Sequence, residues 1–413
     1  MWLGAVSNHK NNYYKLFDHT ITMRILLVLH FGIANDGSAT AIQRFLPLLQ
    51  ARGVEPLVIL PSQGNLHDVL VQQKIPAISL KYNYRFSVYP PRVSRQDKML
   101  FLYRLVGRWL VSTYSVIQLL GIAKRFRPDI IHTNSSVCAI GYQVSRLLRI
   151  PHVWHIREYG LDYCYMGPQQ LRYRKARSYT ICITKNLQQY NNLDTNPCSR
   201  VIYDGVLSVE NLYYTPQKQP YFLFAGRIEK IKGVFPLLNA YAQYHKNCVH
   251  PLPLYLAGQE IAGRDYVIKC HRFVTENELT HCVHFLGARA DILALYQNAT
   301  ALIVPSLSEG FGFITAEAMF SGCLVVGHDA AGTKEQFDNG VALTGEEIAL
   351  RYTRQEQLVQ HLLDMTDAVE RGTFIEHYEP MILRAQQVVQ QLYTSERNAE
   401  QIYQFYQDIL LLS

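Results

Sequence analysis

The sequence has no Cys-x-x-Cys pair among its eight cysteines. Thiols scattered in this way indicate neither a zinc ribbon nor a disulfide framework, and a reducing cytoplasm is the expected compartment. There is no uninterrupted apolar run long enough to span a bilayer. Met99 to Ile122 comes nearest, and Arg104 and Arg108 break it. Residues 1–22 lack the apolar core of a signal peptide, and the first buried strand is expected to open at Met23. That segment is read as an irregular leader, or Met23 as the true start. No Asp-x-Asp sits at a strand end, and no His/Asp group has metal-ligand spacing, so a divalent metal is not implied. Disorder is excluded too: 48% of residues are hydrophobic and only 18% charged.

The net charge of +7 is unevenly spread. Between Lys81 and Arg127, Arg85, Arg92, Arg95, Lys98, Arg104, Arg108, Lys124 and Arg125 are opposed only by Asp97. A second basic group is Arg172, Arg174, Lys175 and Arg177. Such charge suits an anionic membrane surface or a phosphorylated acceptor, and equally a solvated loop. Nucleic acid is not an expected partner.

From residue 24 onward apolar β-rich segments alternate with helical ones, the pattern of a doubly wound parallel sheet. Strands are expected at 24–30, 54–60, 76–80, 129–133, 151–156, 178–184 and 200–203 in the first half. In the second half they are expected at 221–225, 254–257, 283–286, 300–305 and 324–327. Residues 81–98 read as a long loop and 99–126 as a helix, packed on the sheet rather than lying on a membrane. The tail from Glu346 reads as helical, its last helix capped by Ser395. The expected division is a leader (1–22), a first Rossmann-like domain (23–206), a linker (207–220), a second such domain (221–385) and closing helices (386–413).

The most informative stretch runs from Thr300 to Gly322. An apolar strand leads into Ser306-Leu307-Ser308-Glu309-Gly310-Phe311-Gly312, and a helix follows from Phe313, stopped by Gly322. Strand, glycine-bearing loop and helix together aim free amides at an anion. Gly310 and Gly312 are expected to let a ligand approach the backbone. Glu309 and Glu317 bracket that site and suit the hydroxyls of a nucleotide-sugar. A second motif, Gly226-Arg227-Ile228-Glu229-Lys230-Ile231-Lys232-Gly233, offers Arg227 and Lys232 to a departing diphosphate.

Two glutamates separated by seven residues around Gly310-Phe311-Gly312 resemble the signature of the retaining family 4 glycosyltransferases of GT-B fold. The resemblance implies two Rossmann-like domains facing each other across a cleft, with the last helix crossing back to the first domain. It implies retaining, metal-independent transfer of a hexose-type sugar from a UDP- or GDP-sugar to a glycan or lipid-linked acceptor, without a cofactor. It assigns catalysis to Glu309, Arg227, Lys232 and His155, the last facing the donor sugar. It assigns nucleotide-sugar binding to Gly37, Gly287, Gly310, Phe311, Gly312, Phe313 and Glu317. Ala331-Gly332-Thr333-Lys334-Glu335 resembles a turn that lines the donor cleft. Arg157 and Glu158 lie beside His155 without an assigned role. The implied setting is polysaccharide or glycoconjugate synthesis, cytoplasmic or peripheral at the inner membrane face. Two other readings remain open: a degenerate scaffold that only binds nucleotide-sugars, and a Rossmann-type oxidoreductase, whose G-x-G-x-x-G would need a glycine where Thr315 stands.

Overall fold

A computed structural model describes residues 23–34, 37–61, 64–82, 95–159, 178–260 and 264–412. The first sheet is built from β1 (Met23–Leu29), β2 (Val54–Leu60), β3 (Ala77–Ser79), β4 (Ile130–Asn134), β5 (His152–Ile156), β6 (Tyr179–Cys182) and β7 (Ser199–Val201). Its order is β3-β2-β1-β4-β5-β6-β7, with every pairing parallel. The described helices over and around it are α1 (Gly37–Gln50), α2 (Asn65–Gln72), α3 (Arg95–Phe126), α4 (Ile140–Leu148) and α5 (Lys185–Tyr190). A second parallel sheet holds β8 (Gln219–Ala225), β9 (Leu254–Ala257), β10 (Val283–Gly287), β11 (Ala299–Val304), β12 (Leu324–His328) and β13 (Leu350–Tyr352), in the order β10-β9-β8-β11-β12-β13. Its helices are α6 (Val234–Asn247), α7 (Arg264–Glu276), α8 (Ile292–Asn298), α9 (Phe313–Phe320), α10 (Ala331–Thr344) and α11 (Gln355–Glu370). Strand order reverses between β1 and β4 and again between β8 and β11. Loops diverge at those points and leave a crevice at the strands' C-terminal ends.

Central strands buried on both faces must be apolar throughout. β11 is buried at every position, and β1 at all but Arg24. The first sheet is covered by one cluster containing Ile42, Phe45 and Leu49 of α1 and another containing Leu119 and Ala123 of α3. The C-terminal half of α3 therefore packs on the sheet, as its apolar stripe predicts. That helix starts at Arg95, four residues earlier than expected. Most of the loop expected at 81–98, and all of the basic group at 172–177, lie outside the described residues. No helix among the described residues is long and apolar enough to cross a membrane.

Two long helices end the chain, α12 (Phe374–Leu392) and α13 (Ser395–Leu411). α13 crosses back to the first domain, where Ala399, Ile402, Phe405, Tyr406 and Ile409 join the cluster beneath α1. Arg52–Glu400 at 3.0 Å and Arg200–Asp408 at 2.7 Å flank it. Its cap is Thr394, whose side chain accepts from Arg397 N, and not Ser395 as expected. A second correction concerns the tail from Glu346, which begins with the short edge strand β13. β8 starts at Gln219, inside the span expected as linker.

Candidate functional site

The loop between β11 and α9 is held from three sides. Leu307 N donates to Ile231 O at 2.9 Å and Gly332 N to Glu309 O at 3.0 Å. Gln336 Nε2 donates to Phe311 O at 2.7 Å and to Gly312 O at 3.0 Å. Gly312 sits at φ +94°, a conformation that L side chains rarely adopt, and it caps α9 without help from any side chain. Gly310 has a different reason. A β-carbon there would lie 2.4 Å from the carbonyl oxygen of Arg157 in the first domain. The protein's own domain junction therefore accounts for that glycine, where the sequence suggested close approach of a ligand. Phe311 is likewise occupied by the protein: it is 2% exposed, with its ring edge-on to Tyr393 at 5.2 Å.

Both signature carboxylates hold a cation. Lys232 Nζ donates to Glu309 Oε1 at 2.7 Å and Oε2 at 2.9 Å. The backbone bond from Leu307 to Ile231 creates that pair by tying their two loops together. Glu317, one turn into α9, accepts from Arg44 Nη2 at 3.1 Å across the domain boundary. Arg44 belongs to α1 and leans over the ring of Phe313, 5.6 Å from its centroid. A β-carbon on Gly37, the first residue of α1, would lie 3.7 Å from the same ring. The N-terminal ends of α1 and α9 therefore meet, and each carries partial positive charge. Arg227 is more loosely held, 54% exposed and 3.3 Å from Glu229. Lys230 is exposed. Gly287 ends β10 and accepts from Gly258 N at 2.8 Å, with open space where a side chain would be. Two cations, two helix ends and an open wall form a surface suited to a diphosphate.

In the first domain β4 and β5 carry a buried polar network. His132 Nε2 and His155 Nδ1 lie 3.2 Å apart, and His132 Nδ1 contacts the hydroxyl of Tyr406. His155 is 0% exposed, and its Nε2 has no partner. Its ring is enclosed by protein in this structure. Arg157 Nη1 donates to both oxygens of Asp204, at 2.6 and 2.8 Å, and its Nε donates to Asn134 Oδ1 at 2.7 Å. Burial pushes the Asp204 carboxyl up, while Arg157 and then Arg44 pull it back. Glu158 accepts from Ser135 and Ser136 and so fixes the loop after β4. Ala331 to Glu335 form the first turn of α10 rather than a free turn. There Glu335 reaches the other domain and accepts from Lys185 N at 2.6 Å and Asn186 N at 2.8 Å, capping α5.

The histidines have a consequence for pH. Burial, and then the charge of Arg157, lower the His132 pKa to about 3. His152 and His155 are held well below their usual value, mainly by burial. The folded chain keeps them neutral, whereas the unfolded chain protonates them below about pH 6.5. Their contribution is present above that pH and is lost as pH falls toward the folded values. His132 alone is expected to cost on the order of 1 kcal/mol at pH 5.5. Denaturant midpoints measured at pH 7.5 and 5.5 test this, with His132→Asn expected to narrow the difference by its own share.

Arg44 and Asp204 carry no motif and were not readable as site residues, and Glu335 was readable only as part of a cleft-lining turn, not as a contact to the other domain. Their partners lie 273, 47 and 150 residues away.

Similarity to known proteins follows the same division. The family described as "Glycosyl transferase 4-like domain" matches residues 36–182, and "Glycosyl transferases group 1" matches residues 213–369. The chain is 29% identical over 203 residues to the uncharacterized glycosyltransferase MJ1178 of Methanocaldococcus jannaschii, covering 46% of this chain and 53% of that protein. It is 25% identical over 218 residues to the O-antigen chain mannosyltransferase RfbU of Salmonella typhimurium, covering 52% and 58%. The chain thus spans little more than half the length of these curated relatives. Among solved structures, Anabaena Alr3699/HepE in complex with UDP-glucose superimposes with a TM-score of 0.70 at 21% identity, over 94% of this chain and 100% of that one.

Proposed function

This chain belongs to the group 1 glycosyltransferases, and we propose that it transfers a hexose-type sugar from a nucleoside-diphosphate sugar to a glycan or lipid-linked acceptor, with retention. The observation that carries the reading is the pairing of each signature carboxylate with a cation, Glu309 with Lys232 and Glu317 with Arg44, beside two facing helix ends. A diphosphate arriving there exchanges water for preorganised donors and needs no metal of its own. Lys232, Arg227 and the α9 amides take up charge as the leaving group departs. Glu309 and Glu317 are engaged by cations, and burial holds the proton affinity of His155 well below its usual value, so none of the three is a strong base for the acceptor. A departing phosphate oxygen can take the acceptor's proton on the same face, and that course gives retention. Because Alr3699/HepE is described in complex with UDP-glucose, UDP-sugars are the first donors to test. Contact with an anionic membrane through the first domain, on the cytoplasmic side, belongs to the same proposal.

The test is calorimetry with UDP-, GDP- and ADP-sugars on the wild type and on Glu317→Gln. One nucleotide class is expected to bind, and the isosteric variant to lose about 1–3 kcal/mol by weakening a charge-assisted bond. Equal donor affinity in the two proteins would remove Glu317 from the site. Binding of no nucleotide-sugar by the wild type would overturn the reading.

A further inference from the structure

Away from the cleft, three metal-binding side chains converge at the N-terminal edge of the second sheet. His245 lies in the last turn of α6, and His281 and Cys282 immediately precede β10. One ligand atom of each, two imidazole nitrogens and Sγ, lie within 4.8 Å of one another. The two rings meet edge to face with centroids 5.4 Å apart. Neither the His245 nor the His281 imidazole has a hydrogen-bond partner among the described residues. Cys282 is 6% exposed, and its thiol makes a weak bond of 3.4 Å to Leu279 O. His245 is half-buried and His281 exposed, so both rings stand open to an ion arriving from solvent beside the buried thiol.

We propose that His245, His281 and Cys282 bind a soft divalent cation of the zinc type, with a water in the fourth position. Two imidazoles and one thiolate are the borderline-soft donor set such an ion prefers, and tetrahedral bonds of about 2.0–2.3 Å require the donors to draw closer than they now stand. The exposed ring of His281 can turn to supply that movement. Binding takes the ion from six waters to one: two nitrogens and one sulfur enter, five waters leave, and the thiol's proton passes to solvent. The site lies at the start of β10, whereas Gly287, at the far end of that strand, borders the cleft. The ion therefore ties the end of α6 to the connection between α7 and β10. It stabilises the second domain and takes no part in transfer.

The test uses the full chain, stripped with chelator and titrated with cobalt(II) and then zinc alone. One equivalent of cobalt is expected, with a thiolate charge-transfer band and strong tetrahedral visible bands, both lost when zinc displaces it. Zinc is expected to raise Tm. His281→Ala changes an exposed side chain, so folding survives, and it is expected to lower affinity about tenfold or more. Cys282→Ser is expected to remove the charge-transfer band. Cobalt bound without a thiolate band, or His281→Ala binding both metals as tightly as the wild type, would overturn the proposal.

Discussion

Lys232→Ala is expected to lower kcat by about 10²–10³ while weakening donor binding far less. The diphosphate carries its greatest extra charge in the transition state, so a cation aimed at it acts mainly on turnover. Lys232 is held in place for that role: its side chain is 19% exposed and both oxygens of Glu309 grip the ammonium. Arg227 is 54% exposed, so Arg227→Ala is expected to cost less. Joint removal is expected to be less than additive, since both cations serve one diphosphate. Losing Lys232 also strands Glu309, and Lys232→Ala/Glu309→Gln separates the two effects. If the double change restores turnover, the lysine's service is to neutralise Glu309 and not the leaving group. Steady-state kinetics in chelator decide the matter, and a variant that raises KM at constant kcat would contradict it.

The second large effect concerns stability. Asp204→Asn is expected to cost about 3–5 kcal/mol, because it leaves the guanidinium of Arg157 buried without a counter-charge. Side-chain exposures of 5% for Arg157 and 0% for Asp204 mean that water cannot replace the lost partner. The change keeps the shape, so packing cannot be blamed. Replacing both residues, as in Arg157→Met/Asp204→Leu, is expected to cost less than either single change, since no orphan charge remains. Chemical denaturation followed by fluorescence measures this. The first domain's transition is the one expected to move if the two domains unfold separately. A loss under about 1 kcal/mol for Asp204→Asn would mean that the pair is solvated.

Strand–helix alternation was legible because buried parallel strands leave apolar runs such as Ala299–Val304, and turn residues mark their ends. β13 was missed for the opposite reason. Three residues, Leu350, Arg351 and Tyr352, make an edge strand with one charged side chain that three carboxylates accept. The signature loop was legible as a motif, yet the purpose of its parts was not. Gly310 is a glycine because Arg157's carbonyl lies against it, a contact between residues far apart in sequence. Arg44 reads as an ordinary helix arginine until α1 and α9 are brought together. Glu335 looked like part of a cleft-lining turn and instead caps a helix of the other domain. Local sequence reports local geometry well, and it is silent about which domain supplies the partner.

The most direct test of the account is early-time proton NMR of the chain with its tightest-binding nucleotide-sugar, water or a simple sugar serving as acceptor. The account predicts release of the nucleoside diphosphate in chelator, with the first anomeric signal keeping the donor's configuration. Release that requires added manganese, or a first product of inverted configuration, would contradict it.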